Sequence, residues 1–409
     1  MKSKIYLFLI AVAFVVTGIT ESFAQGCVAV RQMGGNTICA TEGYNLPKGE
    51  FQIGATYRYF HSWRHFVGSE EQKERQTEGG GHDENGKERG NAVNIYSHSV
   101  ELNLNYGLTD RLQLNLAIPY VHNERSQVFR ANQDNTMATD TFRYSLYAKG
   151  IADIRLSANY WVFNPQTSMK GNLLVGLGMK LNSGSYTRTG MVPVVENGAS
   201  EVTYEKQTMD QAIQPGDGGV GFSLELSGFR QIYRGVYGFF AGYYLFNPKE
   251  NNGSYKSDPT IVRQDGVTLD TLFGYNLYAC PDQYFVRGGI MGAVGKKKNL
   301  TLSAALRAEG IPAYDALGGQ VAYRRPGYVV AVESGLAFKA GKHSFSLIIP
   351  YNFYKNRIQS AADIKQQDLR NSVIEDENEK VHVQGDAAFA DYSINFNYTY
   401  RLGKLFGEK

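Results

Sequence analysis

Polar and apolar residues alternate with a period of two through residues 100–120. Val100, Leu102, Leu104 and Tyr106 alternate with Glu101, Asn103 and Asn105. After a turn, Leu112, Leu114, Leu116, Ile118 and Tyr120 alternate with Gln113, Asn115 and Ala117. A strand sends successive side chains to opposite faces, so each arm has one oily and one wet face. Gly107 and the Thr109-Asp110 pair supply turn chemistry. The stretch predicts a β-hairpin whose arms approach the ~9–11 residues that cross a bilayer as tilted strands.

The same rhythm returns along the chain. It predicts strands over residues 50–63, the two hairpin arms, 151–163, 171–183, 219–232, 235–246, 283–294, 299–308, 327–338, 342–354 and 389–402. The gaps alternate long and short. Long loops are expected at 64–93, 124–149, 184–218, 247–282, 309–326 and 355–388. Short turns fall near Arg234-Gly235, the GKKKN turn and Ala340-Gly341. Residues 267–279 alternate weakly. Counting them as a strand would break the even number usual for single-chain barrels, so they are placed in the fourth long loop, as a hairpin arm or inward fold. The expected fold is all-β: a transmembrane antiparallel up-and-down barrel of about twelve strands. A soluble β-sandwich is the competing reading. The strands exceed the globular mean of ~5–6 residues, and the apolar face is rich in aromatics, which favours the barrel.

The first residues strengthen that choice. Lys2 and Lys4, an apolar core over residues 5–16 and Ser22-Phe23-Ala24 read as a secretory signal cleaved before Gln25. The apolar core is shorter than the ~20 residues of a spanning helix. Lipidation at Cys27 would need a better approach than Ala24-Gln25-Gly26. The expected organisation is a signal peptide at 1–24, an N-terminal periplasmic or lumenal segment at 25–49 and the barrel at 50–406. The expected location is the outer membrane of a Gram-negative bacterium. There the chain meets outer-membrane lipid, small-molecule solutes and the barrel-assembly machinery.

Composition adds less. Mean hydropathy is −0.34, a soluble-looking value that alternating strands also give. Tyr (28) and Phe (22) far outnumber Trp (2), which suits interfacial girdles. Net charge is +3, too small to point to nucleic acid. In an exported chain Cys27 and Cys39 are close enough in sequence to pair as a disulfide, leaving Cys280 as a buried or loop thiol.

The informative charges lie on the wet faces: Arg58, Glu101, Asp153, Arg155, Glu225, Arg287, Arg307, Glu333 and Arg401. Charge toward lipid is costly, so these side chains are expected to point inward. They either line a constricted pore or brace the barrel's interior. His61, His65, Glu70 and Glu71 match no metal pattern, and residues 79–81, all Gly, precede no helix and no Lys-Ser/Thr pair. No cofactor or metal is expected. His61, His65, His98, His122 and His343 lie near strand ends, but none has a catalytic partner in view, so an enzyme is disfavoured.

NYGLTDRLQLNLAIPY, AKGIADIRLSANYWVF, CPDQYFVRGG, FADYSINFNYTYRL and RYFHSWRHFVGSEEQKER together resemble the outer-membrane transporter family named for the meta-pathway of phenol degradation. The likeness runs from about residue 27 to 406. It implies a β-barrel that admits small, often hydrophobic or aromatic, molecules, and it brings no catalytic residues. The expected function is therefore uptake of small molecules through an outer-membrane channel. A sealed barrel with a structural or surface-interaction role is the alternative, and a barrel hydrolase is the third.

Overall fold

The computed structural model describes residues 45–76, 81–82, 88–89, 92–130, 141–194, 201–256, 276–319 and 321–404. One large antiparallel sheet dominates. Its strands are β1 (Glu50–Val67), β2 (Asn94–Gly107), β3 (Leu112–Arg130), β4 (Thr141–Ile151), β5 (Arg155–Trp161), β6 (Gly171–Lys180) and β7 (Gly221–Tyr233). They continue with β8 (Val236–Phe246), β9 (Gln283–Val294), β10 (Leu300–Ile311), β11 (Gly327–Ala340), β12 (His343–Arg357) and β13 (Ala387–Lys404). Each pairs with its neighbour in sequence, and β1 pairs with both β2 and β13. That last pairing closes the sheet, so among the described residues the ladder across the membrane has no open edge to expose unsatisfied backbone groups.

β4 and β5 share one position in the wall, which gives a barrel of twelve staves. Both pair with β3: Ile151 faces Tyr120 and Arg155 faces Ala117. One more residue is spent on the β4–β5 side than on β3, so the chain bulges between them. Pro119 lies in that interval and has no N–H to give the ladder. Its carbonyl accepts instead from Ala152 N (2.8 Å). Among the described residues β4 pairs only with β3. The next staves, β6 and β7, stop lower, at Lys180 and Gly221, so the loop between them has room to cover the wall and fold into the bore.

Alternation sorts the two faces. Val100 and Leu102 are 48% and 38% exposed on the outside, whereas Glu101 and Asn103 are 7% and 4% exposed on the inside. The same holds at Leu224, Val286, Leu306, Val332 and Phe396, all exposed and all outward. Phe51 and Tyr106 stack at the short-turn end (4.4 Å) as part of an aromatic rim. A closed barrel with an oily waist and a polar interior is stable only across a membrane, and such barrels belong to the bacterial outer membrane. The protein is an outer-membrane barrel, with its short turns, by that convention, toward the periplasm.

The strands run further than the alternation predicts. β3 extends to Arg130 and β4 begins at Thr141, so most of the expected loop 124–149 is strand. β1 continues to Val67 and β12 to Arg357. At 18 and 15 residues, and ~3.3 Å per residue, these staves stand well clear of the hydrocarbon. Within the fourth long loop, Leu277–Ala279 pairs with Asn251–Tyr255 outside the barrel ladder. The sixth contains a helix, α1 (Ala361–Asn371), capped by Ser360 and tied back by Arg357 Nη2 to Asp363 Oδ2 (2.8 Å). The leader and the Cys27–Cys39 pairing lie outside the described residues. Cys280 is a free, buried thiol.

Candidate functional site

Cross-strand register brings one layer of charges together inside the barrel. Arg287 on β9 faces Arg307 on β10. Glu333 on β11 accepts from both: Arg287 Nη1 to Oε1 is 2.6 Å and Arg307 Nη1 to Oε2 is 3.3 Å. Arg307 also donates to Glu309, and Glu309 lies 3.7 Å from Arg58 on β1. The chain Arg287–Glu333–Arg307–Glu309–Arg58 thus crosses the bore. A second pair, Arg155 and Glu101 (3.7 Å), stands beside it. Aromatic faces fill the remaining space. Arg307 lies 4.6 Å from the Phe285 ring, Arg58 5.3 Å from Phe60 and Arg155 6.0 Å from Tyr243. All five members of the chain are buried, so this layer packs tightly within the bore.

Toward the long-loop end lies a cavity of ≈ 40 Å³, lined by Arg58, Arg155, Lys180, Asp153, Asn123, Gln283 and Tyr243 among others. That volume holds one or two water-sized guests. Its roof is the segment 209–217, the returning limb of the loop that follows β6. Lys180 is the floor contact. It donates to Asp217 and lies 3.6 Å from Asp153. Asp153 in turn accepts from Gly184 N (2.9 Å) and Asp217 N (3.2 Å). Gly184 and Gly216 cross so closely that a Cβ on Gly216 would sit 2.4 Å from the Gly184 carbonyl oxygen.

The roof is latched by side chains rather than by the ladder. Asp210 takes two hydrogen bonds from Arg325 (2.9 and 2.8 Å). Asn123 Nδ2 donates to Ile213 O (3.0 Å). Above it Met209 and Ile213 pack with Phe66, Ile95, Leu146 and Phe389 in an apolar plug. Burial pushes the Asp210 carboxyl up, but Arg325 and Arg125 outweigh it and hold the group well below the usual carboxylate range. Asp386 behaves likewise. Burial raises it, and the hydrogen bond from His65 Nδ1 (2.6 Å), with Arg75 beyond, overrides that.

Below the charged layer the bore is lined by small amides and hydroxyls. Asn103, Asn159 and Asn395 each donate within the wall, to Thr56, Ser157 and Ile348 O. Their Oδ1 atoms, and that of Asn397, are buried without a protein donor. This half of the bore is therefore polar and closely packed.

The charges expected to face inward fall as follows. Arg58, Glu101, Arg155, Arg287, Arg307 and Glu333 meet in the charged layer. Asp153 belongs to the Lys180 contact. Glu225 is half-buried on the inner face, facing Tyr243 in the neighbouring strand. Arg401 stands apart near the short-turn end, bonded to Glu50 and to Asn45 O. The histidines do not converge. His61 bonds Asn94, His98 bonds Tyr57, and His343 bonds Tyr398. Glu71 is held by Arg64 at 2.6 Å. Glu309, Lys180, Asp210, Asp217 and Arg325 escape the sequence reading. Only Lys180, inside the expected strand 171–183, and Glu309, two residues beyond Arg307, carried a signal of period two.

No protein-family model matches the chain, and no curated protein matches it. Solved structures do resemble it. An outer membrane channel from Pseudomonas putida F1 aligns with a TM-score of 0.49 at 10% identity, over 88% of this chain and 98% of that one. The Ralstonia pickettii toluene transporter TbuX aligns at 0.40 and 10%, over 87% and 90%. The translocator domain of the autotransporter NalP from Neisseria meningitidis aligns at 0.41 and 11%, over 87% and 90%.

Proposed function

We propose that the protein is a channel for small molecules, in a closed state. One observation carries this reading. A polar cavity and an amide-lined lower bore lie on either side of a single charged layer, and the roof over the cavity is held by ion pairs and side-chain hydrogen bonds rather than strand pairing. Movement of residues 209–217 and a rearrangement of Arg58, Arg155 and Glu309 would join the two compartments. The cavity sets Tyr243 and Phe60 beside Arg58, Arg155 and Lys180, a lining that would suit a small aromatic molecule with a polar group once movement of the roof enlarges the space. That choice agrees with the transporter resemblance in the sequence.

A second reading is a sealed barrel with a structural or surface role. The full burial of Arg307 and Glu333 favours it, because a layer this well paired is also a brace. Liposome swelling separates the two. A channel admits small sugars or small aromatic molecules, and faster once Asp210→Ala releases the roof. A sealed barrel admits neither in either form.

A further inference from the structure

The outer surface of β1–β4 carries a row that does not suit hydrocarbon. Tyr59 faces His98, His98 faces His122, and His122 faces Lys149 across successive strands. His98, His122 and Lys149 are exposed. Gly150, next along the strand, faces inward with Val121, so the outer row ends on Lys149. The row one step nearer the short-turn end is Tyr57, Val100, Tyr120 and Ile151, all apolar or aromatic and all lipid-facing. The hydrocarbon boundary therefore falls between these two rows. Tyr59 lies eight residues above Phe51, roughly 20 Å along the normal for a strand tilted by about 40°, near the ~25 Å height of a barrel's apolar band.

We propose that His98, His122 and Lys149 form a docking surface for the phosphorylated head group of an outer-leaflet glycolipid. Lys149 supplies the positive charge, the two imidazoles supply ring N–H donors, and the apolar row beneath receives the acyl chains. Tyr57 Oη lies 2.9 Å from His98 Nδ1. When the hydroxyl donates, the ring proton sits on Nε2, which is then a donor for a phosphate oxygen. The nearest carboxylate on this face, Glu124, lies one row further out. Its Oε1 accepts from Ser145 (2.8 Å) and Tyr147 (3.2 Å). Lipid phosphates engage such interfacial basic groups as they do other juxtamembrane cations.

Native mass spectrometry of the full-length barrel in detergent tests this. The probes are a bis-phosphorylated glycolipid, its dephosphorylated form and inorganic phosphate. The wild type should retain the phosphorylated lipid. The triple variant His98→Ala, His122→Ala, Lys149→Ala should retain at least fivefold less, while Lys149→Arg keeps it. Lys296→Ala with Lys297→Ala, in a short turn, should match the wild type. Heat-modifiable gel mobility confirms that each variant is folded. Equal retention by the triple variant, equal retention of the dephosphorylated lipid, or displacement by millimolar phosphate would each overturn the proposal.

Discussion

Arg287 and Arg307 stand opposite each other on adjacent strands, both facing inward, and Glu333 bridges them from the next strand. Like charges in register repel, so the carboxylate between them is what makes the pair tolerable. Replacing Glu333 with Ala leaves two buried guanidiniums short of their shared counter-ion. The expected cost is about 3–5 kcal/mol, read as a lower urea midpoint in micelles. Glu333→Gln should lose nearly as much, since it keeps the shape but not the charge. A midpoint unchanged in both would mean that the layer is not braced by this contact.

Acid should loosen the roof. Asp210 and Asp386 both sit well below the usual carboxylate range in the folded barrel. Their stabilisation is therefore complete above the unfolded value near ~3.9 and is lost as pH falls through the folded values. Flux through the barrel should rise as pH drops from about 4 toward 3. Asp210→Asn with Asp386→Asn should be leaky already at neutral pH and flat across that window. Flux that falls on acidification would contradict the assignment.

A methyl group at the loop crossing should act from a different point. Gly216→Ala places a Cβ 2.4 Å from the Gly184 carbonyl oxygen, so backbone must shift. The expected result is higher conductance and faster proteolysis in the hairpin formed by residues 189–194 and 203–208. Gly288→Ala, whose Cβ would meet nothing closer than 3.7 Å, should leave both unchanged.

Cys280 reports on the same closure. Its thiol is buried, donates to Asp217 O (3.3 Å) and is pushed up to about 12, chiefly by burial. Maleimide labelling followed by peptide mapping should leave it unmodified in the wild type and modify it at least tenfold faster in Asp210→Ala. Equal, rapid labelling of both would mean that the roof is already open.

The inward charges of the membrane-spanning segments were legible in sequence because one face met lipid. Glu101 between Val100 and Leu102 has only one place to go. The pattern failed where that asymmetry ended. Beyond the hydrocarbon the outer face of β3 and β4 turns polar, with Glu124 and Lys149 outward, while Leu146 and Ala148 pack inward against the plug, so the oily-out, wet-in rhythm breaks and a strand reads as loop. Glu309 was lost for a related reason, since Gly310 and Pro312 end the alternation just after it. The long-range ion pairs at the long-loop end had no local signal at all. Asp210 and Arg325 are 115 residues apart, and His65 and Asp386 are 321 apart. Such pairs exist only once the barrel has closed.

The most direct measurement is the single-channel conductance of the purified barrel in planar bilayers, comparing wild type with Asp210→Ala, Arg325→Ala. The expected result is rare, brief openings for the wild type and at least a fivefold higher open probability for the double variant. A double variant that folds, inserts and passes no current would contradict a channel closed by this segment.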